Sequence, residues 1–197
     1  MLCYNWFFEN QDYKIDDMPE ANTDIQSYLE QHIRNIPDFP KPGIQFKDIT
    51  PLLLDSQSFK IVPEHLIQPY KSQKIDYVAG VESRGFLYGT IMASLLGAGF
   101  ITVRKPGKLP ADTIKAEYEL EYGTDELHMH KDAIKPGSKV IIHDDLIATG
   151  GSARAAAELV QKTGGEVAGY SFIMELGFLN GREQIEGISE VHSLISY

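Results

Sequence analysis

Two periods run through the chain's apolar positions. Ile25, Leu29, Ile33 and Ile36 recur at helical spacing, and Thr23 with Gln26 three residues on fits a capping box ahead of them. The spacing predicts a helix over 24–35, stopped by the turn-rich FPKPG at 39–43. Residues 44–49 read as extended, 58–70 as a helix interrupted early by Pro63, 75–81 as a strand, 86–96 as an apolar helix and 100–103 as a strand. A polar loop with two prolines, RKPGKLPADTIK, occupies 104–115. From 116 to 122 the residues alternate at period two, Ala/Glu/Tyr/Glu/Leu/Glu/Tyr, and 126–130 alternate again after a turn at 123–125, so the pair reads as a hairpin. The stretch VIIHDDLIATGGSARAAAELV at 140–160 is a strand followed by a helix over 148–163, which Gly164 and Gly165 end. A strand over 167–174, a short helix at 182–185 and a strand over 191–195 complete the chain.

Alternating strands and helices predict an α/β fold with a central, mainly parallel sheet flanked by helices, the hairpin being the antiparallel exception. No repeat, low-complexity tract or linker divides the chain. One domain is expected over 23–197, preceded by an N-terminal extension over 1–22.

Composition narrows the chemistry. The 197 residues carry a net charge of -10, which opposes a general nucleic-acid surface but leaves room for a local basic cluster holding a small anion. Cys3 is the only cysteine, so no disulfide framework forms within the chain, which fits a reducing, cytoplasmic setting. No apolar run is long enough to span a membrane, and no membrane partner is expected. The opening MLCYNWFFENQDYKIDDMPE has neither the basic start of a secretory signal nor the arginines of a transit peptide. Its Tyr4, Trp6, Phe7 and Phe8 could dock on the body of the protein or on a partner.

The candidate chemistry lies in the 140–160 stretch. Asp144 and Asp145 close a buried strand, where adjacent carboxylates repel and are costly to desolvate. Behind them Ala148, Thr149, Gly150, Gly151 and Ser152 form a glycine turn opening a helix, whose free N–H groups and dipole suit a phosphate. The acids would repel that phosphate, but they can accept from hydroxyl groups or face a divalent cation. A phosphate beside a vicinal diol describes a ribose 5-phosphate. GVESRG at 80–85 lacks the lysine of a Walker loop, and GAGFIT at 97–102 precedes a strand instead of a helix, so neither competes. His128 and His130 share one strand face, but no cysteine or third histidine has suitable spacing nearby, so no protein metal site is expected. His143 could modulate the acids as it titrates, and Tyr118 and Tyr122 read as packing on the strand's apolar face.

HDDLIATGGSA resembles the phosphoribosyl pyrophosphate signature of type I phosphoribosyltransferases. FPKPGIQFKDITPLL at 39–53, GVESRGFLYG at 80–89, RKPGKLP at 104–110 and YELEYGTDELHMHKDAIKPG at 118–137 resemble the adenine-using members of that family, and the likeness spans 24–197. The resemblance implies a type I fold with a small hood, partly from the N-terminal region, and a lid hairpin at 104–130. It implies transfer of phosphoribosyl from 5-phosphoribosyl pyrophosphate to adenine, giving AMP, with Mg²⁺ bound alongside the donor, in a homodimer. By the same resemblance Asp144 and Asp145 bind the ribose hydroxyls and Ala148 to Ser152 the 5-phosphate. Glu82, Ser83, Arg84, Arg104, Lys105 and Lys108 serve the pyrophosphate. Phe46 stacks on the purine with Leu176 over its other face, while the main chain near Gln45 and Lys47 reads the amine-bearing edge. Glu121 matches the lid glutamate and would act as general base. Another purine as acceptor, or a regulator that binds without catalysing, remains the alternative. An intact lid and the lack of any added DNA-binding module favour the enzyme.

Overall fold

The computed structural model describes residues 24–119 and 123–197. The expected extension at 1–22, Thr23 of the capping box and the lid residues Leu120, Glu121 and Tyr122 lie outside the described residues.

The first helix, α1 (Ile25–His32), is capped by Asp24, whose carboxylate accepts from the Gln26 N–H at 3.2 Å. It stops short of the expected residue 35. Ile33 is already extended, and β1 (Arg34–Pro37) pairs antiparallel with β2 (Gln45–Asp48), Ile36 facing Phe46. The helical spacing of Ile33 and Ile36 was therefore a coincidence overruled by a strand partner ten residues away. A helix that periodicity does not predict, α2 (Thr50–Leu54), follows at once. Asp48 Oδ1 accepts the Thr50 N–H at 2.9 Å, and Pro51 sits in the first turn, where a missing N–H does no harm. Next, α3 (Ser58–Leu66) continues through Pro63 instead of breaking there, and a 3₁₀ turn, Gln68–Tyr70, closes it. Pro63 forfeits one backbone bond while its ring is buried.

The central sheet contains β3 (Tyr77–Val81), β4 (Gly99–Val103), β7 (Lys139–Ile147), β8 (Glu166–Glu175) and β9 (Val191–Ser196), all parallel, in the order β4-β3-β7-β8-β9. Both faces are covered, which explains the unbroken apolar run of β7. On one face Val78 and Ile141 pack with Val62, Leu66, Tyr88 and Met92, the last two from α4 (Gly85–Leu96). On the other Ala79, Val140 and Ile142 pack with Ala153, Ala156 and Val160 of α5 (Gly151–Lys162). The hairpin of β5 (Thr113–Glu119) and β6 (Thr124–His130) roots Ala116, Leu127 and Met129 in that second core.

The connection from β3 leads through α4 to β4 on one side, and that from β7 leads through α5 to β8 on the other. The carboxyl ends of β3 and β7 thus flank a topological switch point, the usual place for a ligand in an open α/β sheet.

Candidate active site

The segments leaving β3 and β7 meet across that crevice. Strand β7 runs through both acids to Ile147, and α5 begins at Gly151, three residues later than periodicity predicts. Asp145 is 1% exposed, and its Oδ2 lies 3.2 Å from Arg84 Nε without a properly aligned hydrogen bond. A buried acceptor left in this state suits an incoming hydroxyl donor. Burial and the neighbouring Asp145 charge push the Asp144 carboxyl well above the usual carboxylate range. Burial raises Asp145 as well, against the opposing pull of Arg84.

Arg84 links three parts of the site. Besides Asp145 it reaches the Lys47 carbonyl at 3.4 Å, and its guanidinium carbon lies 5.0 Å from the centre of the Phe46 ring. The expected purine wall and the expected ribose acids therefore share one arginine. Lys47 Nζ lies 3.5 Å over the Tyr197 ring, and the Tyr197 carbonyl accepts from Gly177 beside Leu176, which ties β2 to the end of β8. Gln45 bonds Asn35 across the β1–β2 ribbon at 2.9 Å, and Phe46 meets Phe39 edge-on at 5.1 Å.

Glu82 and Arg84, close in sequence, serve different partners. Glu82 takes a two-pronged contact from Arg104 at 3.2 Å on each oxygen and the Lys105 N–H at 2.8 Å. Burial works against ionisation there, yet Arg104 and the Lys105 amide hold the Glu82 carboxyl below its ordinary value. Ser83 follows through a cis peptide, and its carbonyl accepts from Phe86 as α4 starts. Arg104 also donates to the Lys108 carbonyl at 3.1 Å, and the Lys108 charge favours ionised Glu82. Lys105 extends the other way, its ammonium on Asp125 and 2.5 Å from the Tyr118 hydroxyl. Periodicity had marked Tyr118 as packing and Asp125 as a turn. The twenty residues between Lys105 and Asp125 left no local signal of their pairing.

At the head of α5, Gly150 adopts φ +83° and no side chain caps the helix, leaving its first N–H groups for a ligand. A Cβ at Gly150 would lie 2.3 Å from the Gly181 carbonyl oxygen, so only glycine fits. Thr149 is exposed and Ser152 half-buried on the same turn, and the backbone of Ala148 meets Gly181. A cleft of about 460 Å³ opens between this turn and β5, walled in part by Tyr118, Glu119, Thr149, Gly151, Arg154 and Gln184. It adjoins the expected phosphate turn but not the acid pair, so it marks the gap under the hairpin. His143 is fully buried with Nδ1 on the Ser171 carbonyl at 2.7 Å, and burial pulls its pKa down to about 4. Its ring packs toward Gly89 of α4, where a Cβ would lie 3.2 Å from its Cδ2. His128 lies 3.6 Å from Glu126 and 3.4 Å from Thr113.

Over residues 52–177 the chain matches the family model described as the phosphoribosyl transferase domain. It is 59% identical over 155 residues to the adenine phosphoribosyltransferase of Sorangium cellulosum (strain So ce56), covering 79% of this chain and 78% of that one. The crystal structure of adenine phosphoribosyltransferase from Rhodothermus marinus DSM 4252 aligns with a TM-score of 0.85 at 50% identity, covering 89% of this chain and 99% of that one. The Saccharomyces cerevisiae enzyme, crystallised with D-2,5-dideoxy-2,5-imino-altritol 1,6-bisphosphate and adenine, aligns with a TM-score of 0.81 at 44% identity, covering 86% and 98% of the two chains.

Proposed function

The chain belongs to the adenine phosphoribosyltransferase family, and from that premise we infer that it transfers phosphoribosyl from 5-phosphoribosyl pyrophosphate to adenine, giving AMP and pyrophosphate. The observation that supports the reading is Arg84, which touches Asp145 of the acid pair as well as the Phe46–Lys47 segment. A base held on Phe46 then lies beside a sugar held on Asp144 and Asp145, as attack at the anomeric carbon requires.

In the reaction the bond from the anomeric carbon to pyrophosphate breaks, its electron pair leaves with pyrophosphate, and a ring nitrogen of adenine bonds to that carbon. We assign Asp144 and Asp145 to the ribose hydroxyls and Ala148, Thr149, Gly150, Gly151 and Ser152 to the 5-phosphate. Glu82, Ser83, Arg84, Arg104, Lys105 and Lys108 are assigned to the departing pyrophosphate. Phe46 and Leu176 would enclose adenine, with Gln45 and Lys47 reading its edge by backbone. Glu121, outside the described residues, would take the ring proton that adenine loses. A lid over the site would keep water from capturing the cationic carbon. Mg²⁺ would come with the donor and neutralise charge on its pyrophosphate. The acid pair, with one Asp145 oxygen that accepts no hydrogen bond, suits such a complex. A homodimer in the cytoplasm follows from the family resemblance, and light scattering of the purified protein tests the dimer.

The reaction itself is tested by incubating the protein with Mg²⁺, 5-phosphoribosyl pyrophosphate and each purine base in turn. AMP formed from adenine alone is expected. Turnover of hypoxanthine, guanine or xanthine but not adenine would refute the reading of the Phe46 segment. Tight donor binding with no turnover would mark a regulator.

A further inference from the structure

The short 3₁₀ turn Gly181–Gln184 makes an unusual approach to the phosphate turn. A Cβ on Gly181 would stand 2.1 Å from the Ala148 carbonyl oxygen and 2.8 Å from the Gly150 nitrogen, and one on Gly150 would stand 2.3 Å from the Gly181 oxygen. Two backbones thus press together at paired glycines with no side chain between them. Such a contact transmits position closely, since neither partner has a rotamer to yield.

The turn is fastened to the sheet by the residue after Gly181. Arg182 donates to both oxygens of Glu175, the last residue of β8, at 3.1 and 2.5 Å. It also donates to the Val191 carbonyl at 2.7 Å and the Ser193 hydroxyl at 3.2 Å, both on β9. Ser193 donates in turn to Glu175 at 2.8 Å. Glu175 is 9% exposed and Ile185, just past the turn, is fully buried. On its free side the turn reaches α5, where Gln184 accepts from Arg154 at 3.3 Å.

We propose that Arg182, clamped to Glu175 and acting through Gly181, is a positioning residue that sets the shape of the Ala148–Ser152 turn and thereby the affinity for the donor's 5-phosphate. The proposal rests on the assignment of that turn to the 5-phosphate. A planar two-pronged pair fixes both distance and angle, which a lysine in its place would not. The phosphate is held alike in ground and transition states, so loosening the turn raises the donor KM and leaves kcat nearly unchanged.

Partial ligands make the test specific. Ribose 5-phosphate, inorganic pyrophosphate and adenine would be titrated calorimetrically into wild-type protein, Arg182→Lys and Glu175→Gln, with Ser152→Ala as the control for the site. Both clamp variants keep side-chain bulk, so either one folding suffices. Ribose 5-phosphate should bind about tenfold more weakly to the clamp variants, roughly the loss of one charge-assisted hydrogen bond, with pyrophosphate and adenine within about twofold. The donor KM should rise by a similar factor. A lowered melting temperature with unchanged ribose 5-phosphate affinity would reduce Arg182 to a fold-stabilising residue and overturn the proposal, as would equal weakening of all three ligands. If Ser152→Ala also leaves ribose 5-phosphate unaffected, the phosphate assignment falls, and the proposal with it. An effect of Ser152→Ala without one of the clamp variants overturns the clamp alone.

Discussion

Two walls of the candidate site are held by different means. At the turn assigned to the 5-phosphate, Gly150 and Gly181 bring main chain against main chain, and the core behind them contains Ala153, Ala156 and Val160. At the root of the expected lid, Arg104 and Lys105 are held by charge, on Glu82 and Asp125, and the Lys108 carbonyl accepts an Arg104 N–H. Backbone packing at a glycine admits one geometry, whereas a point-charge ammonium pair such as Lys105 with Asp125 can exchange partners at small cost. The fixed wall suits a group that does not move in the reaction, the 5-phosphate. The exchangeable wall suits the group that leaves.

The largest test falls on the lid. If Glu121 is the general base, Glu121→Ala should lower kcat by about 10²–10⁴ while the donor KM and melting temperature hold. Steady-state kinetics with adenine varied would read it, and a loss confined to KM would remove Glu121 from the chemistry. On the fixed wall, Gly150→Ala should raise the donor KM by about 10²-fold, because a methyl there meets a carbonyl that cannot retreat and φ +83° disfavours alanine. A change below about threefold would mean that the two backbones can slide, and the contrast between the walls would collapse.

The acid pair sharpens the contrast, since there function and stability oppose each other. Asp144→Asn should lower kcat/KM by about 10–100-fold through loss of a charge-assisted bond to a ribose hydroxyl. It should also raise the stability of the ligand-free protein at pH 7 by about 1 kcal/mol. The Asp144 pKa is raised in the fold, so the native state holds a proton that the unfolded chain releases above the ordinary value of 3.8. Stability from this group therefore falls as pH rises through that window, and the advantage of the variant should vanish near pH 4. His143 has the opposite slope. Its pKa drops from 6.5 to about 4, so the native state resists protonation and stability falls as pH falls from 6.5 toward 4, by at most about 3 kcal/mol. Melting wild type and Asp144→Asn across pH 4–8 separates the two, because His143 is common to both.

The difference between the walls also separates what was legible in the sequence from what was not. The strand, acids, glycine turn and helix at 140–160 are contiguous, and their local signals agree with the tertiary structure except for the later start of α5. A sheet buried on both faces prints its apolar run directly. The parallel α/β order was legible for the same reason. Non-local pairings were not. Residues 34–37 carry helical spacing but pair with 45–48, and α2 was missed although Asp48 and Pro51 signal its start. Glu82 and Arg84 stand two residues apart, yet Glu82 turns to Arg104 and Arg84 to Asp145, which their spacing does not announce. The clamp of Arg182 on Glu175 depends on how β8 and β9 lie side by side, which no window of sequence contains.

The smallest expected effect decides whether the lid root exchanges partners. Lys105 has its ammonium between Asp125 and the Tyr118 hydroxyl; burial opposes the charge, but Asp125 raises its pKa, and Lys105 holds Asp125 below its ordinary value. Pyrophosphate, with several negative charges, is the stronger attractor when present. If Lys105 moves to it, Asp125→Asn weakens the competing partner and should lower the donor KM by about two- to fivefold, the range of a partly exposed ion pair. Lys105→Ala should raise the donor KM by a similar or larger factor. Because the carboxylate of Asp125 competes through charge, the advantage of Asp125→Asn should shrink as salt rises from 50 to about 500 mM. If Asp125→Asn instead raises the donor KM as Lys105→Ala does, at every salt concentration, the pair is a strut that holds β6 to the foot of β4. Lys105 then never reaches the leaving group, and the lid side is as fixed as the phosphate side.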